Sequence, residues 1–152
     1  MQMIYGAPVS MQKTSFLPLL RGLARCYQSF ESYSGRHVRT MDLTPCQFDI
    51  VATLGNTSGM NFRDLGEKTL TTKGTLTGVI ERLKEKNIVQ CQDDPKDGRS
   101  QIVRLTEAGE ALFAEVFPAH IAHMAQAFAQ FDEAEIEAMR LMLAKLGSSF
   151  RS

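Results

Sequence analysis

No apolar run in the 152 residues approaches the ~20 needed to cross a bilayer as a helix. The first 13 residues lack a basic segment followed by a long apolar core. No secretory signal is therefore expected, and the expected compartment is the cytoplasm. Cysteine is scarce. Cys26, Cys46 and Cys91 are widely spaced and odd in number, which fits neither a disulfide framework nor a zinc ribbon. They read as small hydrophobes in a reducing compartment, and no local motif assigns a redox role to any of them. Neither sign of charge dominates: 17 basic and 17 acidic residues leave a formal net charge of zero. Composition alone does not announce a nucleic-acid binder. Glycine-rich phosphate loops and Ser/His/Asp or Cys/His sets in a recognisable context are also missing, so no enzymatic activity is expected. Asp93, Asp94 and Asp97 lack the ligand spacing and closing glutamate of a calcium loop. His120 and His123, three apart on an expected helix with Glu115 nearby, have a spacing that metals use. Such residues are more often partly exposed helix positions, and no metal or other cofactor is expected.

What is present is concentrated between residues 61 and 106. Leu65, Leu70, Leu76, Val79, Ile80 and Leu83 recur at helical spacing, so two helices with an apolar back are expected. Asn61 is placed to cap the first, and Thr71 or Thr72 the second. After Asn87 the period changes. Ile88 to Gln92 and Gln101 to Leu105 read as strands. Between them Pro95 and Asp97-Gly98 carry turn chemistry, so a charged loop from Asp93 to Ser100 is expected. Helix, turn, helix and hairpin in this order make a winged helix-turn-helix, which places a helix in the DNA major groove. The fold class is mainly α with a small β-hairpin wing.

The candidate contacts follow from chemistry. Thr72, Lys73, Gly74, Thr75, Thr77 and Gly78 open the second helix with small or hydroxylated residues, which lets its end approach bases and phosphates. Arg99 at the hairpin tip suits a narrow minor groove, and Asp97 is expected to hold its guanidinium in place. Arg63, Lys68, Lys73 and Lys96 are expected phosphate contacts, with Ser100 completing the wing set. The bias of charge is modest. Residues 1–43 have a surplus of three positive charges and residues 61–105 a surplus of two, whereas the chain after 106 is acidic. Two copies of the reading head are therefore expected to be needed.

These residues carry a resemblance. Thr75 to Leu83, Val89, the wing Asp94-Pro95-Lys96-Asp97-Gly98-Arg99-Ser100 and the helix start Leu105-Thr106-Glu107-Ala108-Gly109 are similar to the MarR family (MarR- and SlyA-like) of transcription regulators. Leu43-Thr44-Pro45-x-Gln47-Phe48 before an earlier helix is another such feature, and the likeness covers nearly the whole chain. It implies a homodimeric, DNA-binding regulator, expected to be a repressor on a roughly palindromic operator. In the family the matching wing Asp and Arg take the roles given above. Relatives often leave DNA when a small aromatic or phenolic anion binds between the dimer helices and the DNA lobe. Tyr27, Phe30, Tyr33, His37 and Arg39 fall near such a location, but no ligand-binding residue is assigned. The alternatives are a winged-helix protein-interaction module without specific DNA binding, or a thiol- or metal-responsive regulator. An interaction module has no need of Arg99 and Lys73 beside a hydroxyl-rich helix start.

The rest of the chain completes one domain over residues 1–152. Its DNA-binding lobe is expected at about 43–106 and its dimerisation helices at about 15–38 and 107–150. Met1 to Lys13 reads as a short lead-in. Ser15 is placed to cap a first helix that ends between Gly35 and Val38, with a basic connector from Arg36 to Leu43. Thr44, Pro45 and Gln47 form a capping box and Pro-first helix start. Thr106 is expected to cap a helix to about Gln130, kinked or broken at Pro118. Asp132 and Glu135 should start a last helix that stops at Gly147. The outer helices carry more apolar residues than one small lobe can cover, which calls for a two-fold dimer.

Overall fold

Four of the six described helices start on short polar side chains. The Thr44 hydroxyl accepts from the Gln47 backbone N–H, and the Gln47 side chain accepts from that of Thr44, both at 3.1 Å. This box, with Pro45 in the first turn, opens a helix over Pro45–Leu54. Asn61 caps Phe62–Lys68 through the Asp64 N–H at 2.8 Å. Thr106 caps Glu107–Ala127 through the Gly109 N–H at 3.0 Å. Asp132 and Glu135 box the start of Glu133–Ser149. Each such cap is worth about 1 kcal/mol.

The protein is described by a computed structural model covering residues 3–4, 7–8 and 14–151, without the side chains of Met3, Ile4, Ala7, Pro8 and Lys73. In chain order the elements are β1 (Met3–Ile4), β2 (Ala7–Pro8), α1 (Leu17–Thr40), α2 (Pro45–Leu54), β3 (Met60–Asn61), α3 (Phe62–Lys68), α4 (Lys73–Glu85), β4 (Val89–Asp94), β5 (Asp97–Leu105), α5 (Glu107–Ala127) and α6 (Glu133–Ser149). β1 and β2 pair with each other in antiparallel fashion. The other positions of the expected lead-in lie outside the described residues.

A three-stranded antiparallel sheet has the order β3-β5-β4. β4 and β5 pair from Val89 opposite Leu105 to Asp93 opposite Gln101, then shift register so that Asp94 faces Asp97. The turn is thus Pro95-Lys96, and the expected loop of residues 93–100 is mostly strand. Of the polar run Asp97 to Ser100 only Asp97 has a ladder partner, and Gly98, Arg99 and Ser100 fall in the register shift. β3 was not expected, because two residues carry no readable period. Gly59, at φ 100°, precedes it under the Val103 carbonyl, where a β-carbon would come within 2.7 Å.

The core lies in this lobe. Ile50, Val51 and Leu54 of α2 meet Leu65 of α3, Leu76, Ile80 and Leu83 of α4, and Met60, Val89, Val103 and Leu105 of the sheet. Full burial of each large aliphatic side chain is worth about 1.5–3 kcal/mol. A β-carbon at Gly109 would overlap the Ile88 carbonyl, so α5 seats directly on the root of the hairpin.

Five expectations need correction. α1 runs to Thr40, and the Arg36 to Thr40 stretch read as connector forms its last turns; Val38, 1% exposed, ties them to the lobe. Its start at Phe16 has no side-chain cap, so Ser15 does not serve as one. α5 passes Pro118 without a break and ends at Ala127, whereas α6 continues through Gly147 to Ser149. Leu70 is no part of an apolar back: it lies in the turn between α3 and α4 and is 73% exposed.

Candidate nucleic-acid interface

Burial on one side of α4 decides what the other side offers. Leu76, Ile80 and Leu83 are turned into the core and Val79 is half-buried, which leaves Gly74, Thr75, Thr77 and Gly78 outward. A β-carbon at Gly74 or Gly78 would meet nothing within 4 Å. Glycine inside a helix costs roughly 0.5–1 kcal/mol relative to alanine. Nothing within the described chain requires that loss, and the bare surface lets a second molecule come close to the helix backbone.

The start of α4 differs from the starts of the helices around it. Thr72 is the N-cap residue, but its hydroxyl bonds to that of Thr75 at 3.1 Å instead of closing on a backbone N–H. Among the described residues α2, α3, α5 and α6 all have side-chain caps. The first amides of α4, with the positive end of the helix dipole, are left for an anion. Of the expected caps, Thr72 holds the position and Thr71 is buried in the turn. The Lys73 side chain, an expected phosphate contact, lies outside the described residues.

The turn that sets the angle of α4 is fastened from below. Leu70 N–H donates to Asp49 Oδ2 at 2.7 Å, joining the turn to α2. Burial pushes the Asp49 carboxyl above its usual range, and this hydrogen bond opposes the shift. The Asp49 clamp had no sequence signal, since its partner is a backbone amide 21 residues away.

On α3, Arg63 and Lys68 are exposed, and among the described residues Arg63 pairs with Glu67 of its own helix, at 3.4 Å. So open a pair holds the guanidinium weakly and leaves it available. At the wing, Lys96, Asp97 and Arg99 are exposed and Ser100 is half-buried. Asp94 accepts from the Lys96 backbone N–H at 2.9 Å, and Asp97 from that of Arg99 at 3.1 Å. Asp97 thus shapes the tip through the backbone. The expected hold on the Arg99 guanidinium is corrected: among the described residues the two side chains form no ion pair. Carboxylates two residues ahead of a free N–H close local turns, which satisfies Asp97 without the longer side chain.

Behind the interface a 370 Å³ cavity opens between α1, α2 and α5. Tyr27, Phe30 and Arg39 line it as expected, together with Phe48, Asp49, Leu70 and His120. Tyr33 and His37 turn instead toward His123 and His120. Cys26, Cys46 and Cys91 are free thiols, and burial pushes the Cys91 thiol up, away from the reactive thiolate. No described helix is long and apolar enough to cross a membrane.

A bare helix face, an open helix start and a hairpin whose tip carries Lys96 and Arg99, on a three-helix core with a three-stranded sheet, define a winged helix-turn-helix transcriptional regulator. A family model described as MarR family matches residues 43–101. The HTH-type transcriptional regulator MhqR of Bacillus subtilis is 28% identical over 131 residues, 86% of this chain and 90% of that one. A probable transcriptional regulator from Pseudomonas aeruginosa has a solved structure with a TM-score of 0.62 and 31% identity, covering 91% of this chain and 99% of that one. The structure of Bordetella bronchiseptica BpsR, a protein whose DNA binding is regulated by 6-hydroxynicotinic acid, superposes with a TM-score of 0.74 at 28% identity over 86% of this chain and 98% of its own. The chain belongs to the MarR family.

Proposed function

We propose that the protein is a cytoplasmic, homodimeric repressor that binds a roughly palindromic operator and blocks a promoter by occupying it. The observation that carries this reading is the outward face of α4, where a β-carbon at Gly74 or Gly78 would meet nothing within 4 Å and Thr77 is exposed, together with the exposed tip Lys96–Arg99. Thr75, Thr77 and the two glycines read the major groove from the open start at Thr72. Arg99, on a tip shaped by Asp97 and Ser100, enters the minor groove. Lys73, Arg63, Lys68 and Lys96 hold phosphates.

Dimerisation supplies the second reading head. Leu17, Leu20, Ile136, Met139, Leu141, Met142 and Leu143 are exposed, and Met142 is 70% open. A patch of that kind on α1 and α6 calls for a cover. A two-fold dimer provides it and sets the two α4 helices about 34 Å apart, one turn of DNA. The regulation of BpsR by an aromatic acid, and the aromatic-lined cavity beside the Asp49 clamp, support a small aromatic or phenolic effector in this chain too. Filling the cavity would change the spacing of the reading heads, a coupling between two sites.

The test is fluorescence anisotropy with duplexes drawn from around the protein's own gene, at several salt concentrations. Tight binding of two chains to one fragment, with a steep loss of affinity as salt rises, is expected. Arg99→Ala should lower that affinity by about 1–3 kcal/mol with an unchanged circular dichroism spectrum. Weak, sequence-blind binding by the unaltered chain would instead favour an interaction module.

A further inference from the structure

All three histidines of the chain lie in one cluster, although His37 is 83 positions from His120. His37 of α1 and His120 of α5 face each other with their Nδ1 atoms 2.8 Å apart. The His37 ring also lies over that of His123, with centroids 4.2 Å apart and planes within 5°. Tyr33 stacks on His123 at 4.4 Å. Phe48, from α2, presents an edge to His120 at 4.5 Å. His120 is 5% exposed, Ser34 Oγ lies 3.1 Å from its Nε2, and His123 Nε2 is buried without a partner.

Two neutral rings with Nδ1 atoms 2.8 Å apart share one proton. One added proton leaves a donor and an acceptor after a tautomer shift, but when both rings are charged two N–H donors and two cations face each other. Among the described residues the hydrogen bonds of the cluster include no carboxylate. From α1, the Tyr33 hydroxyl donates to the His123 carbonyl at 2.9 Å. Tyr27, Glu31 and Arg39 of α1, and Cys46 and Asp49 of α2, stand around the cavity on which His120 opens, and Asp49 is engaged with Leu70. α5 brings no charged side chain to the cavity wall besides His120. A metal is a poor occupant: parallel rings do not aim their nitrogens at one point, and no metal-binding group of three is found among the described residues.

We propose that this histidine stack is a proton-triggered release: charging it drives α1 from α5 and loosens the joint through which Phe48 of α2 sets the DNA lobe against the arms. Burial first, and then the charge of the neighbouring histidines, holds His37 and His120 below the ordinary histidine range. The sign follows. Above about pH 6.5 both rings are neutral in the closed and in the opened state. As the pH falls below that value the opened state takes up protons first, so the closed joint is favoured at neutral pH and lost on acidification.

The consequence for DNA rests on the repressor reading, so the experiment has two arms. In the first, histidine NMR signals of the free dimer are followed from pH 8 to 5.5. Midpoints for His37 and His120 below about 6.5, with amide signals of α1 and α5 moving together, are expected. Midpoints at or above that value, or amides that stay still, would overturn the release. In the second arm, anisotropy with the bound duplex is repeated over the same range. Added positive charge ordinarily strengthens phosphate binding. A tenfold or greater loss of affinity on acidification is therefore diagnostic. His120→Gln, and the less buried His37→Gln should the former misfold, should flatten the profile. An unaltered chain that binds with constant affinity, or variants that keep the full response, would overturn the sensor. A stack that titrates as expected in a chain that binds no duplex at any pH would overturn the repressor reading while the release stands.

Discussion

The winged lobe and the helical arms treat their apolar residues differently. In the lobe, Ile50, Leu65, Ile80 and Val103 come from four elements and are fully buried. In the arms, α6 buries no residue at all, and α1 buries only Gly35 and Val38, both near its C-terminal end. The lobe closes its core with one chain; the arms leave theirs open. The contrast is between a core closed by eleven buried residues and an apolar surface on α1 and α6 that the described chain does not cover.

Three substitutions would break or sharpen this contrast. Leu143→Glu places a charge on the open face of α6, where the side chain is 60% exposed. It should split the dimer in sedimentation and, by removing linked binding, weaken operator affinity about 10²–10⁴-fold. Monomer stability should hardly change, and an intact dimer would move the interface elsewhere. Ile80→Ala strikes the closed half instead, and should cost about 2–5 kcal/mol in denaturant titration because the side chain is 0% exposed. A cost under about 1 kcal/mol would mean that the lobe core relaxes around the gap. Gly78→Ala is the smallest and the most telling. With open space around it, alanine should stabilise the lobe by about 0.5–1 kcal/mol and still weaken DNA binding. If both quantities rose together, α4 would not be the reading helix.

Local chemistry was readable in the sequence where one residue acts on a neighbour. Thr44 with Gln47, Asn61, Thr106 and Asp132 cap the helices expected of them, because a cap needs only the next three residues. The wing is legible as a hairpin, and of the two turn signals Pro95 marks the turn, whereas Asp97-Gly98 lies in β5 because backbone pairing leaves little trace in polar side chains. Leu70 was assigned to a helix back because its spacing matched, although the chain turns there and exposes it. The end of α1 was hidden for the opposite reason: Arg36, His37 and Arg39 look like a connector until Val38 is seen buried beneath them. Of the interface, the candidate residues on α3, α4 and the wing were nameable in advance. The clamp from Asp49 and the meeting of His37 with His120 and His123 were not, because each joins positions far apart in the chain.

One element spans both halves. α5 is rooted at the hairpin, where the Thr106 hydroxyl donates to the Asn87 carbonyl at 2.6 Å, and its 21 residues reach into the arms without a break. At 1.5 Å per residue it is about 31 Å long. Turned by about 6° at one end, such a rod sweeps the other through roughly 3 Å. Successive phosphates of one DNA strand are spaced about 3.4 Å along the helix axis. The helix is thus a lever whose travel is counted in base pairs, and a tilt too slight to disturb a single buried contact in the lobe can put one reading head a full step out of phase with its twin.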